Sequence, residues 1–331
     1  MIVTVRPGAN PDTVREALVA RGLWVTRHEG AGGTCLFLVR PYSGHVNADE
    51  VAAIDGVLGV AEPRGGHPRV DAQPHVLEIG GLALGADRAP VVMAGPCSIE
   101  SEAQIHDVAR RLAARGARVL RGGAFKPRTS PYEFQGHGED ALRWLAAAAR
   151  ANGLLTVSEA LGESSVECVA RHTDVVQIGS RNMHNSPLLR AAGRTGRPVL
   201  LKRGMAATIE EWLLAGEYLL DAGAAAVIFC ERGIRSFDAE TRNLLDLSAV
   251  ALLAHVHRQV VVVDPSHALG RRDLIQPMSR AALAAGAAGL LLEVHDCPGR
   301  ALSDGPQALT LPEFAAVLDG LPGLPQVQGS R

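Results

Sequence analysis

The sequence predicts an α/β chain: a (β/α)₈ TIM barrel preceded by a small ferredoxin-like βαββαβ unit. Three observations predict it. From Ala89 onward, an apolar segment ending in a polar or charged residue recurs eight times: VVMAGPC (91–97), RVLRGGAF (118–125), LLTVSEA (154–160), VVQIGSR (175–181), PVLLKRG (198–204), AAVIFCER (225–232), VVVVDPSH (260–267) and LLLEVH (290–295). Helical stretches separate these segments, and Gly116, Gly153, Gly223 and Gly286 precede four of them, where a left-handed residue closes a helix. Alternation of this kind is the pattern of a closed parallel barrel, with a doubly wound open sheet as the alternative. Ahead of it, the order strand, helix, two strands, helix, strand matches the ferredoxin-like motif.

The elements of the first unit, residues 1–65, each have a local cause. Ile2 to Val5 reads as a strand. Asn10-Pro11-Asp12 supplies a cap, a first-turn proline and an acidic first turn for a helix through Ala20, ended by Gly22. Trp24 to Arg27 and Cys35 to Val39 flank a Gly-rich turn, as in a hairpin. Ala48 to Ile54 reads as a second helix and Val57 to Val60 as a strand. Residues 66–88 read as a linker, rich in Gly, Pro and His at its start, followed by a hairpin over Val76 to Leu84 broken by Gly80-Gly81. The barrel spans 89–325.

Composition narrows the function classes. A formal net charge of -2 supplies no global basic field for nucleic acid or an anionic membrane. There is no secretory leader and no apolar run long enough to span a bilayer. The five cysteines are scattered and odd in number, which argues against a disulfide framework and for a cytoplasmic location. Almost every basic residue is arginine, and the lysines are Lys126 and Lys202 alone. A compact ammonium and a planar guanidinium are not interchangeable at a tight site, so both lysines are expected in it.

In this fold the active site lies at the C-terminal ends of the strands. Cys97, Lys126 and Arg128, Glu159, Arg181, Lys202 and Arg203, Glu231 and Arg232, His267, and Glu293 and His295 fall at those ends in turn. Strand-end charge is normal where water begins, but that accounts for one or two of these and not the set. One subset is cationic: Arg121, Lys126, Arg128, Arg181, Lys202 and Arg232, with Arg235 beyond. So many cations at one mouth call for multiply charged anions bearing phosphate and carboxylate groups. The second subset is Cys97, His267, Glu293 and, from the loop after the last strand, Asp304. One sulfur, one nitrogen and two carboxylates suit Mn²⁺, Fe²⁺, Co²⁺ or Zn²⁺ better than Ca²⁺ or Mg²⁺. The bland reading of Cys97 is a small buried hydrophobe.

The strings GPCSIES (95–101), RGGAFKPRTSPYEFQGHG (121–138), IGSRNMHN (178–185), LLKRGM (200–205), ERGIRSF (231–237), DPSHALGRRDL (264–274) and EVH with ALSDGPQAL (293–295 and 301–309) resemble 3-deoxy-D-arabino-heptulosonate 7-phosphate (DAHP) synthase, in its short class I form. The resemblance implies condensation of phosphoenolpyruvate with erythrose 4-phosphate, releasing phosphate, at the start of the shikimate pathway. It implies that Cys97, His267, Glu293 and Asp304 bind one divalent metal. Arg121, Lys126, Arg181, Lys202 and Arg232 would hold phosphoenolpyruvate, and Arg128 and Thr129 would meet erythrose 4-phosphate. Lys126 would donate a proton to the new alkoxide, with Glu159 and Asp264 as alternatives for handling the attacking water. A related enzyme, 3-deoxy-D-manno-octulosonate 8-phosphate synthase, uses arabinose 5-phosphate and carries a KANRSS-like segment where this chain has KPRTSP. A non-catalytic barrel that binds sugar phosphates is the reading from another class; it has no need of Cys97 and Asp304. The resemblance also implies a homotetramer and an aromatic amino acid effector at the N-terminal unit. Cys297 is a second thiol close in sequence to the metal-ligand candidates.

Overall fold

In the computed structural model, the described residues are 1–30, 33–40, 43–44, 46–61, 66–85, 88–126, 130 and 132–321. Arg128 and Thr129 lie outside them, as do residues 62–65 and 86–87 of the linker region and 322–325 of the expected barrel. The chain divides into two compact units, Met1–Pro68 and Arg69–Arg331.

The first unit is a four-stranded antiparallel sheet of β1 (Ile2–Val5), β2 (Val25–Glu29), β3 (Cys35–Val39) and β4 (Val57–Ala61), in the order β2-β3-β1-β4. This is the ferredoxin-like arrangement. Helices Pro11–Val19 and Ala48–Ala52 connect the strands, and each starts where an asparagine side chain takes a first-turn N–H: Asn10 from Asp12 and Asn47 from Asp49, both at 3.0 Å. Val3, Val5, Val14, Leu18, Phe37 and Val51 form its core.

The second unit contains a hairpin, β5 (Val76–Ile79) with β6 (Leu82–Gly85), and eight parallel strands: β7 (Val91–Gly95), β8 (Val119–Arg121), β9 (Leu155–Ala160), β10 (Val175–Ile178), β11 (Val199–Lys202), β12 (Val227–Glu231), β13 (Val261–Val263) and β14 (Gly289–Glu293). They close in sequence order, with β14 pairing β7 from Gly289↔Val91 to Glu293↔Gly95. The closed barrel displaces the open-sheet alternative. The hairpin packs against its interior residues: Leu77, Ile79 and Leu84 cluster with the side chains of Val91, Met93, Val119, Val157 and Val175.

Strand side chains alternate, and the alternation positions the site. The inward rows are Val119 on β8, Val157 on β9, Val175 on β10, Leu200 on β11, Ile228 and Cys230 on β12, and Leu291 on β14. Two residues further along each row come Arg121, Glu159, Gln177, Lys202, Arg232 and Glu293. The outward rows, such as Leu201 and Phe229, join the core beneath the helices. The outward parity therefore takes Arg203 and Glu231 away from the mouth. Several ladders are shorter than the apolar segments suggest: 118–125 contains a strand only over Val119–Arg121, and 260–267 only over Val261–Val263. His267 sits instead on a short helix, Pro265–Leu269, whose N-cap Asp264 accepts the His267 N–H at 2.9 Å.

Candidate active site

A cavity of about 390 Å³ opens at the C-terminal ends of the strands. Two close backbone approaches build its floor. At Gly95, with φ +152°, a Cβ would lie 1.9 Å from the Arg121 carbonyl, so glycine lets β7 and β8 draw together. Gly123 then donates its N–H to the Cys97 carbonyl at 3.2 Å, which sets Cys97 beside the loop carrying Lys126. Lys126 Nζ reaches Cys97 Sγ at 2.8 Å and the Cys97 carbonyl at 3.2 Å.

Cys97, His267, Glu293 and Asp304 come from four distant parts of the chain, and each offers a ligand atom within 4.8 Å of the others'. Cys97 Sγ is 2.9 Å from Asp304 Oδ2 and 3.9 Å from His267 Nε2, which is 3.4 Å from Glu293 Oε2. Asp264 Oδ2 lies 2.8 Å from His267 Nδ1 on the far side of the ring, so Nε2 is the nitrogen that faces the cluster. Gln307 Nε2 donates to Glu293 Oε2 at 2.8 Å, while Glu293 Oε1 is buried with no hydrogen-bond partner among the described residues. Asp304 holds a left-handed backbone, φ +51°, unusual for a residue other than glycine.

The electrostatics of the four donors suit a cation. Burial, reinforced by Glu293, pushes the Cys97 thiol up to about 11. Burial likewise pushes Glu293 up to about 7, with Asp304 adding to it and Arg121 opposing. Burial brings His267 down to about 3, so its imidazole is neutral, the form that ligates. Asp304 is held down at about 2 against its own burial by Cys97, His267, Lys126 and Arg242. An orphaned carboxylate oxygen, a neutral imidazole, a buried thiol and an ionised aspartate fit a borderline divalent cation.

The rest of the wall is cationic. Arg121, Lys126, Arg181, Lys202, Arg232 and Arg235 all line the cavity. Arg121 is 3.9 Å from Glu293, and one terminal nitrogen each of Arg121 and Arg232 is buried without a hydrogen-bond partner among the described residues. Lys202 Nζ pairs with Asp264 Oδ2 at 2.5 Å. Burial opposes ionisation of Asp264, but His267 and Lys202 overcome it and hold the carboxyl well below its usual range. Burial moves Arg232 the other way, downward. Among these cations, Glu159 stands on the wall and accepts from Gln177 Nε2 at 3.0 Å. Gly179 makes room for it, because a Cβ there would meet Glu159 Oε1 at 2.0 Å.

The structure thus brings Cys97, Arg121, Lys126, Glu159, Arg181, Lys202, Arg232, His267 and Asp304 to one cavity. Glu293 and Asp264 lie behind the wall, 1% and 0% exposed. Arg203 and Glu231 pair with each other at 3.0 Å outside the barrel, and His295 engages Glu100 at 3.2 Å. Sequence reasoning missed Gln177, Arg242 and Asn243, which also line the cavity. Gln177 carried a signal, being the one polar residue of VVQI at the inward parity. Arg242 and Asn243 come from the long segment after β12 and carried none.

The model of the DAHP synthetase I family matches residues 69–321, the whole barrel unit. The chain belongs to that family. Along its full length it is 41% identical to phospho-2-dehydro-3-deoxyheptonate aldolase of Thermotoga maritima, covering 99% of that protein. The crystal structure of the same Thermotoga maritima enzyme, described as DAHP synthase, superposes with a TM-score of 0.74 at 39% identity, over 96% of this chain and 94% of that one. A 2-dehydro-3-deoxyphosphooctonate aldolase of Methylibium petroleiphilum is 31% identical over 76% of this chain and 95% of its own length. The full-length match therefore lies with the heptonate enzyme, and the octonate enzyme is a more distant relative.

Proposed function

We propose that this enzyme joins phosphoenolpyruvate to erythrose 4-phosphate, forming DAHP and inorganic phosphate at the first step of the shikimate pathway. The observation that carries this reading is the convergence of four donor atoms within 4.8 Å at the mouth that also gathers the arginines and lysines. A sugar-phosphate sensor needs the cations but not the thiol, imidazole and two carboxylates beside them.

Cys97, His267, Glu293 and Asp304 would hold one Mn²⁺, Fe²⁺, Co²⁺ or Zn²⁺ ion. When bound, such an ion supplies Lewis acidity toward an aldehyde oxygen. Arg121, Arg181, Lys202 and Arg232 hold the carboxylate and phosphate of phosphoenolpyruvate, and Arg121 and Arg232 each aim an unsatisfied buried N–H group. Fixing both reactants spares most of the entropy of bringing them together. C3 of phosphoenolpyruvate attacks the aldehyde carbon, and Lys126, 2.8 Å from Cys97 Sγ, gives a proton to the resulting alkoxide. Water adds at C2, and C–O cleavage expels phosphate. Glu159, on the wall and away from the donor cluster's hydrogen bonds, takes the proton of that water. Asp264 is buried and committed to Lys202 and His267, so it serves as an orienting group. Arg128 and Thr129 remain assigned to erythrose 4-phosphate by resemblance.

The N-terminal unit is proposed to take an aromatic amino acid effector, and the assembly to be a tetramer. No helix among the described residues is long and apolar enough to cross a membrane, and the five cysteines are free, in keeping with a cytoplasmic enzyme. The test is phosphate release from phosphoenolpyruvate with added metal. Erythrose 4-phosphate should support it and arabinose 5-phosphate should not; the reverse preference would overturn the assignment.

A further inference from the structure

We propose that Glu139, Cys168 and His172 form a second cation site, in the outer helix layer of the barrel, for a divalent ion of zinc's borderline class. Each of the three offers a ligand atom within 4.8 Å of the other two. None of them lines the cavity described above.

The site follows from how two helices present their side chains. Cys168 and His172 lie four residues apart on the helix Glu163–His172, so they stack on one face. Glu139 is the first residue of the helix Glu139–Ala151 and reaches across to His172, Oε1 to Nε2 at 3.2 Å. Cys168 is half-buried and packed against the core, which holds its sulfur in place. His172 is half-buried as well, and Glu139 is the exposed member. The trio is therefore a half-buried thiol and imidazole on one helix face with an adjustable carboxylate beside them.

The donor set decides the ligand. One sulfur, one nitrogen and one carboxylate oxygen exclude the hard cations, which take oxygen alone, and match zinc and its neighbours. Zinc bonds of about 2.0–2.3 Å require small side-chain rotations to contract such a triangle, and leave a fourth position for water. Two guanidinium groups stand nearby. Arg143 is committed to Asp140 at 2.5 Å, and Arg171 projects from the same helix as Cys168. Because its ligands come from two helices, the ion acts as a clamp between neighbouring β/α units.

The experiment uses the full-length, reduced, chelator-treated protein dialysed against Zn²⁺. Wild type should bind a second equivalent that Cys168→Ser and His172→Ala each lose. Cys97→Ala should lose only the equivalent belonging to the cavity, so the two sites fail independently. Cys168→Ser should keep wild-type turnover at saturating catalytic metal, which shows that it folds. In the Cys97→Ala background, Co²⁺ should give a thiolate charge-transfer absorption and raise the thermal midpoint. Both effects should vanish in Cys97→Ala/Cys168→Ser. If Cys168→Ser and His172→Ala bind Zn²⁺ as wild type does, or the cobalt absorption survives the second substitution, the site does not exist.

Discussion

Cys97 contacts Asp304, His267 and Lys126 at once, so its loss separates ligation from folding. Cys97→Ala is expected to abolish tight metal binding and most turnover, while far-ultraviolet circular dichroism stays that of the wild type. Asp264→Asn tests the group behind the ligand. It keeps the shape but weakens the hold on His267 and leaves Lys202 without its counter-charge. Metal affinity should fall by roughly 10–100-fold, read by competition with a chromophoric chelator. At Gly179 the crowding is steric. Alanine there drives a Cβ into Glu159, whose carboxylate must move off Gln177. A displacement of that order costs on the order of 10²-fold in turnover, and wild-type turnover in Gly179→Ala would remove Glu159 from the mechanism. Cys97, His267 and Lys126 were legible because each breaks an apolar run at a strand end or stands out in composition. Gln177 was legible only through its parity. Arg242 was not, since nothing local tells a loop arginine to reach Asp304 at 3.4 Å.

The same alternation of side chains works at the level of elements. Lys202 ends β11 inside the barrel and Arg203 follows it outside; Glu231 ends β12 outside and Arg232 follows it inside. Arg203 bridges Glu231 at 3.0 Å and Asp246 at 2.8 Å, with its guanidinium over the Trp212 ring at 5.8 Å. The bridge ties two strand ends and a helix N-cap together behind Lys202 and Arg232. Glu231 is fully buried, so Arg203→Met leaves its carboxylate without a counter-charge, held by the Gly233 N–H at 2.6 Å. The expected loss is about 3–5 kcal/mol in urea unfolding, with the urea slope unchanged. Arg203→Met with Glu231→Leu should recover much of it, since it removes the stranded charge. The eight strands were readable from apolar runs because a parallel sheet is covered on both faces. Their ends were overread for the same reason. Hydrophobicity persists past the last ladder bond, as in Gly122 to Phe125, where the chain has left β8 and turned to place Lys126.

At the scale of the whole molecule, the chain holds two separate folding problems. Unit Met1–Pro68 has its own core around Val3, Leu18 and Phe37, and Arg69–Arg331 has the barrel core with side chains of the hairpin Val76–Gly85 packed against it. The candidate site draws every residue from the second unit. Among the described residues, removing 1–68 therefore takes no ligand, no cavity wall and no barrel contact from Leu77, Ile79 or Leu84. The truncated chain is expected to fold and to release phosphate from phosphoenolpyruvate and erythrose 4-phosphate. If the first unit carries the proposed effector site, tyrosine or phenylalanine should inhibit the full chain and leave the truncated one unaffected. Equal inhibition of both would move the effector onto the barrel. Inhibition of neither would leave the unit as a packing or assembly module, and sedimentation of the two forms would then show whether the assembly depends on it.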